Sequence, residues 1–289
     1  MSFRDDLATL VPKDKFDSVW NSFFEPKFVG FFINLLASEP KSVESELESL
    51  GVEFKQFNLP NFYICEPKFK EILSHSSLFN EGKIYIQNPS SYLSPLMLNP
   101  LPSDITLDMC ASPGGKSIVL ANLMGGAKNL AVMEANKDRF FTLKMNLKKY
   151  GCNKAKTFNK DARGVSHTCA NRFDKILLDA PCSSYSQFGV SFKEKSYKEI
   201  KSIAKLQKQL LNSALTALKV GGSVVYSTCT FYEEENEEVI QNALNSKFEL
   251  KLEPLNLGLK QAVSSEFGVR IIPDETMDAF FVSKIVKLA

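Results

Sequence analysis

Cys182 and Cys229 each stand directly behind a short apolar run: ILLD leads into Ala180-Pro181-Cys182-Ser183-Ser184, and SVVYS leads into Thr228-Cys229-Thr230. An ionised thiol is a strong nucleophile, and its ordinary pKa of about 8.5 falls wherever charge or hydrogen bonding favours the thiolate. Two thiols directly behind apolar runs, where the ligand-binding edge of a sheet would lie, therefore read as reactive thiols rather than as packing filler. The remaining cysteines are Cys65, Cys110, Cys152 and Cys169, and no two of the six have the CxxC spacing of zinc sites or redox pairs. Cys65, Cys152 and Cys169 read as inert packing residues.

A second constellation begins at Asp108-Met109-Cys110-Ala111-Ser112-Pro113-Gly114-Gly115-Lys116, a glycine turn that opens into a helix. Gly114 and Gly115 permit close approach of backbone amides, and a helix start adds partial positive charge, so the turn suits a polar or anionic ligand. It is not a P-loop, which needs glycine where Cys110 stands, and it lacks the GxGxxG dinucleotide fingerprint. Glu134 lies 20 residues past Gly114, where nucleotide-binding α/β folds place an acid for ribose hydroxyls. Asp161 follows the run Ala155 to Asn159 and either meets an adenine edge or caps a turn.

These residues need elements to position them. Ile105 to Met109, Leu130 to Glu134, Lys175 to Asp179 and Ser223 to Ser227 read as buried strands separated by helical or loop sequence. That alternation predicts an α/β fold with a doubly wound, mostly parallel sheet, whose ligands bind beyond the carboxyl ends of the strands. Upstream, Lys15 to Leu36 carries Phe and Leu at helical spacing, Ser42 to Leu50 reads as a capped amphipathic helix ending at Gly51, and Val52 to Cys65 reads as short strands around Leu59-Pro60. The expected division is a small N-terminal α+β unit at 1–80 and a catalytic domain at 81–289. Lys198, Lys201, Lys205 and Lys208 share one face of a helix and suit phosphate contacts or plain solvation, while Glu233 to Glu238 reads as an acidic helix start. His75 and His167 read as ordinary polar residues.

With 44% hydrophobic residues and a net charge of +2, the 289-residue chain has material for a large core but no overall charge that singles out a partner. No signal peptide or membrane span is visible and no metal is called for, so the expectation is a cytoplasmic monomer with free thiols.

The segments IQNPSS (86 to 91), LDMCASPGGK (107 to 116), ILLDAPCSS (176 to 184), GGSVVYSTCT (221 to 230) and RIIPDETMDAFFVSK (270 to 284) together resemble the Nol/Nop/Sun family of RNA 5-methylcytosine methyltransferases, which includes the bacterial Sun-type ribosomal RNA enzymes. The resemblance implies a Rossmann-like methyltransferase sheet with S-adenosylmethionine held by Cys110, Ala111, Ser112, Pro113, Gly114, Gly115, Lys116, Glu134, Asp161 and Asp179. It implies Cys229 as the nucleophile and Cys182 as the cysteine that helps release the product. FFINLLASEPKSVESELESLGVEF resembles the family's small N-terminal unit, with Phe32 where the family usually has arginine two residues before the position of Asn34. The family's PHxxxxDGFF ending appears here as Pro273-Asp274 and Asp278-Ala279-Phe280-Phe281.

The implied substrate is RNA, ribosomal ahead of transfer RNA, with the N-terminal unit docking it. Asp179 is the candidate to stabilise charge that develops at ring nitrogen 3 of cytosine. Two rivals stand beside this reading. An amino-group methyltransferase of the same fold carries an Asn/Asp-Pro-Pro-aromatic turn where this chain has DAPC, and a non-catalytic RNA-binding or assembly factor on a methyltransferase scaffold is not excluded by fold alone.

Overall fold

The computed structural model describes residues 2–189 and 191–289. Among them the strands are β1 (Val29–Ile33), β2 (Phe54–Gln56), β3 (Phe62–Cys65), β4 (Ile84–Ile86), β5 (Thr106–Asp108), β6 (Leu130–Met133), β7 (Lys156–Phe158), β8 (Phe173–Asp179), β9 (Leu218–Thr228), β10 (Leu250–Leu252), β11 (Ala262–Ser264), β12 (Val269–Ile271) and β13 (Phe280–Lys287). The large sheet runs β7-β6-β5-β8-β9 with all neighbours parallel, then β13, β12 and β11 antiparallel, with β10 also paired to β13. Leu107, Leu130, Val132, Ile176, Leu177 and Leu178 are buried, as central strands covered on both faces must be, which is why they read as unbroken apolar runs. The chain winds from β5 outward to β7 and then returns to β8 on the other side of β5. The crevice of this doubly wound sheet therefore opens at the carboxyl ends of β5 and β8.

The N-terminal unit is a four-stranded antiparallel sheet, β2-β3-β1-β4, beside the helix Pro40–Ser49. Its β1 corrects the helical reading of Lys15 to Leu36: the helix there spans only Phe16–Ser22, and VGFFI is a strand buried along its whole length. Phe31 and Ile33 pack on the unit's own Val43 and Leu47, whereas Phe32 turns the other way onto Tyr92 and Leu93 of the larger domain. A strand apolar on both faces loses its period of two and imitates a helix. The helix expected from Ser42 begins instead at Pro40, with Glu39 as N-cap and no side-chain capping bond. Proline at the first position is itself preorganised for a helix start.

The division expected near residue 80 falls inside this sheet, since β4 runs Ile84–Ile86. The two units are clamped through Asn34, whose Nδ2 donates to Gly82 O at 2.8 Å and Tyr150 O at 3.2 Å while its Oδ1 accepts from Asn122 at 3.0 Å. The helices Phe3–Leu10 and Phe16–Ser22 lie apart from the small sheet: Phe3, Leu7 and Val19 pack with Tyr185, Phe231 and Tyr232 of the larger domain. No helix among the described residues is long and apolar enough to cross a membrane.

Candidate active site

Strands β8 and β9 are parallel, with Asp179 opposite Ser227. Each then breaks into a turn, and the turns bring Cys182 Sγ and Cys229 Sγ to 3.2 Å. The S–H of Cys182 favours a thiolate on Cys229, and the hydroxyls of Ser186 and Ser184 add to that effect. These contacts outweigh burial and the nearby Asp179 charge and lower the Cys229 thiol to about 7. Cys182, as the donor and buried besides, is held well above its usual range. Burial pushes Cys152 up to about 12, and burial with the neighbouring Glu66 charge does the same to Cys65, in keeping with inert packing roles; all six cysteines are free.

Holding both turns are two residues that the sequence places in an acidic helix start. Glu235 and Asn236 are fully buried. One carboxylate oxygen of Glu235 accepts from the Ser183 N–H at 2.8 Å and from Gln207 Nε2 at 3.0 Å, and Gln207 also donates to Pro181 O at 2.9 Å. Asn236 accepts from Thr228 Oγ1 at 2.5 Å and donates to Thr230 O at 3.1 Å. The Ser183 and Thr230 hydroxyls join the turns directly at 2.7 Å. Arg270 fastens the connecting loop through Phe231 O at 2.6 Å and a paired contact with Glu237. A helix dipole asks only for acids, so an asparagine among five glutamates was the readable sign of a different job.

On the β5 side, Lys116 Nζ meets Asp179 Oδ2 at 2.8 Å, and Asp179 Oδ1 accepts from Ser227 at 2.8 Å. Burial works against the Lys116 charge, but Asp179 outweighs it and the ammonium is held above its ordinary pKa. Asp108 beneath the turn accepts from Ser117 Oγ at 2.6 Å, and burial pushes it up to about 7. Gly114 has φ +114°, a conformation that favours glycine, as expected for a turn that exposes its amides. Gly115 has another purpose: a Cβ there would lie 2.7 Å from Gln87 Oε1 and 2.8 Å from the Tyr85 ring, so its bareness lets the helix Gly115–Leu123 seat against β4 and the residue after it.

Cys110, Ser112, Glu134, Asp161, Asp179, Cys182 and Cys229 line one cleft of ≈ 530 Å³, a size ordinary for small-molecule sites. Glu134 is buried, accepts from Asn136 N at 2.9 Å and keeps Arg139 at 3.5 Å. Asp161 caps the turn at Arg163 N (2.9 Å), with Arg163 paired on its carboxylate at 2.6 Å, and it also lines the cleft. Ala111 stands behind the lining, its N–H bound to Met133 O at 2.9 Å. His75 and His167 lie outside the lining.

A doubly wound, mostly parallel sheet with a glycine turn and a buried acid at the carboxyl ends of β5 and β6 is the frame of a Rossmann-like nucleotide-binding domain. The family model described as 16S rRNA methyltransferase RsmB/F matches residues 95–286, and the chain belongs to that family. A tRNA (cytosine(49)-C(5))-methyltransferase of Pyrococcus abyssi is 33% identical in an alignment that covers 95% of this chain and 93% of that protein. Ribosomal RNA small subunit methyltransferase F of Vibrio cholerae is 36% identical over 72% of this chain, which spans 46% of that longer relative. The crystal structure of a methyltransferase homolog protein from Pyrococcus horikoshii superposes with a TM-score of 0.85 at 29% identity, covering 98% of this chain and 94% of that one.

Proposed function

We propose that the chain transfers a methyl group from S-adenosylmethionine to carbon 5 of a cytosine in RNA, with Cys229 as covalent nucleophile and Cys182 as its proton partner. The observation that carries this reading is the 3.2 Å sulfur pair on adjacent parallel strands, with the thiolate favoured on Cys229. When bound, S-adenosylmethionine supplies an electrophilic sulfonium methyl group. The residues present fit it: the turn at Gly114 and the first N–H groups of the following helix, which no helical carbonyl can satisfy, suit its carboxylate. Glu134 suits the ribose hydroxyls, and Asp161 suits the edge of the adenine.

Carbon 5 of cytosine is a poor nucleophile while the ring stays aromatic. Addition of the Cys229 sulfur to carbon 6 makes carbon 5 enamine-like and able to attack a methyl electrophile. Electron density then moves toward ring nitrogen 3, where a positioned donor lowers the barrier. Asp179, the candidate for that role, grips Lys116, so the acid acts there through the ammonium it orients as hydrogen-bond donor. Once Cys229 has become a thioether it no longer takes the hydrogen bond that held Cys182 protonated. Cys182 can then release its own proton to solvent, and its thiolate takes the carbon 5 proton as the carbon 5–carbon 6 double bond re-forms and the Cys229 sulfur leaves as thiolate. Reaching both thiol and methyl requires an unstacked or flipped cytosine.

Transfer RNA is the better-supported substrate, ahead of the ribosomal RNA first expected, because the relative covered nearly end to end is named for transfer RNA. Residues 1–80 hold twelve acidic and eight basic residues, so docking by the N-terminal unit would rest on shape rather than charge. The test is transfer of labelled methyl from S-adenosylmethionine to tRNA and small-subunit rRNA transcripts, followed by nucleoside analysis. Label in 5-methylcytidine from tRNA is expected. Label only from rRNA would reverse the substrate, and label in another nucleoside would end the carbon 5 reading.

A further inference from the structure

Charge is spread unevenly over this molecule. Residues 137–160 contain eight Lys or Arg and one Asp, while the whole chain has an excess of only +2, so the remainder is net negative. The segment comprises the helix Lys137–Lys149, a turn, and β7 at the edge of the large sheet. Lys137, Lys144, Lys148, Lys154, Lys156 and Lys160 are exposed. Among the described residues the segment's one ion pair with a carboxylate is Arg139 with Glu134. An ordinary solvated lysine face is laced with acids three and four residues away. Here the cations repel one another uncompensated, a cost that an anionic partner would relieve.

Apolar side chains are interleaved with these cations: Phe141 is 52% exposed, Met145 one turn later 72%, and Phe158 on β7 41%. The face is also continuous with the reaction site. Asn136 and Arg139 at the helix start line the cleft beside Glu134, while Lys149 at the other end sits 3.8 Å from the Phe79 ring of the N-terminal unit.

We propose that the helix Lys137–Lys149 and the β7 edge form the surface on which the phosphate backbone of the RNA substrate docks. The proposal rests on the RNA reading above and puts the electrostatic part of docking in the catalytic domain. Phosphate contacts by lysine release counterions, so each should appear in the salt dependence of binding. The test is filter binding of a tRNA transcript over a salt series, comparing the unaltered protein with a Lys144→Gln, Lys148→Gln, Lys156→Gln triple variant. Affinity should fall at least tenfold, and the slope of log K against log salt should flatten by about two to three, at roughly 0.7–0.9 per lost contact. Calorimetric binding of S-adenosylhomocysteine checks that the variant is folded. Unchanged affinity and slope in a folded variant would overturn the proposal and leave the face to an acidic protein partner. No RNA binding by the unaltered protein would instead remove the RNA reading, and this surface with it.

Discussion

At the scale of single residues, the two cysteines differ in what surrounds them. The sulfurs of Cys182 and Cys229 lie 3.2 Å apart with the thiolate favoured on Cys229, and a thiolate reacts with an alkylating reagent where a thiol does not. The rate of Cys229 modification by iodoacetamide, followed by peptide mass spectrometry, should therefore rise through a midpoint near the lowered value of about 7. Because the largest lowering influence is the Cys182 donor, Cys182→Ala should shift that midpoint upward. A midpoint that stays put would mean that the sulfur pair does not tune the nucleophile. Both cysteines were legible in the sequence because each follows an apolar run, but their order of reactivity was not. That order depends on which sulfur donates, and the Ser184 and Ser186 hydroxyls from the Cys182 turn, with the Glu235 charge from the segment after Cys229, tip it toward a thiolate on Cys229.

At the scale of elements, the cleft is made by strand ends and the turns beyond them, and the strands were legible because central parallel strands carry unbroken apolar runs. The Glu235–Asn236 clamp was not, since a local reading of an acidic run cannot register that the chain folds back beneath two cysteine turns. Its removal should be felt at the turns. Glu235→Ala leaves the buried Ser183 N–H and Gln207 amide without their shared acceptor, a loss of about 1–3 kcal/mol in stability. Chemical denaturation should show that loss together with reduced turnover, whereas full activity in a destabilised variant would make the clamp a matter of stability alone. Strand β1 teaches the opposite lesson: buried on one face by its own unit and on the other by the catalytic domain, it carried a helical spacing without being a helix.

At the scale of the whole molecule, the chain's first helix supports its chemistry from a distance. The Phe3 ring lies 4.5 Å from that of Tyr185 and 5.7 Å from that of Phe231, between centroids, and these aromatics sit on the loops that follow Cys182 and Cys229. Phe3→Ala should cost about 3–5 kcal/mol as a buried aromatic truncation, seen as a lowered Tm. It should also lower turnover more than cofactor affinity, since Glu134 and the glycine turn lie on other elements. Equal loss of both would argue for general unfolding. Nothing local in Phe3 to Leu10 revealed this contact, which joins residues more than 180 positions apart. The central claim, a covalent adduct on Cys229, is tested most directly by denaturing electrophoresis of Cys182→Ala, Cys229→Ala and the double variant after incubation with S-adenosylmethionine and RNA. Cys182→Ala should attack and methylate but stall before release, leaving a protein–RNA band that is absent from Cys229→Ala and from the double variant. A band in Cys229→Ala but not in Cys182→Ala would reverse the two roles, and no band in any variant, with methyl transfer intact in Cys229→Ala, would contradict covalent catalysis.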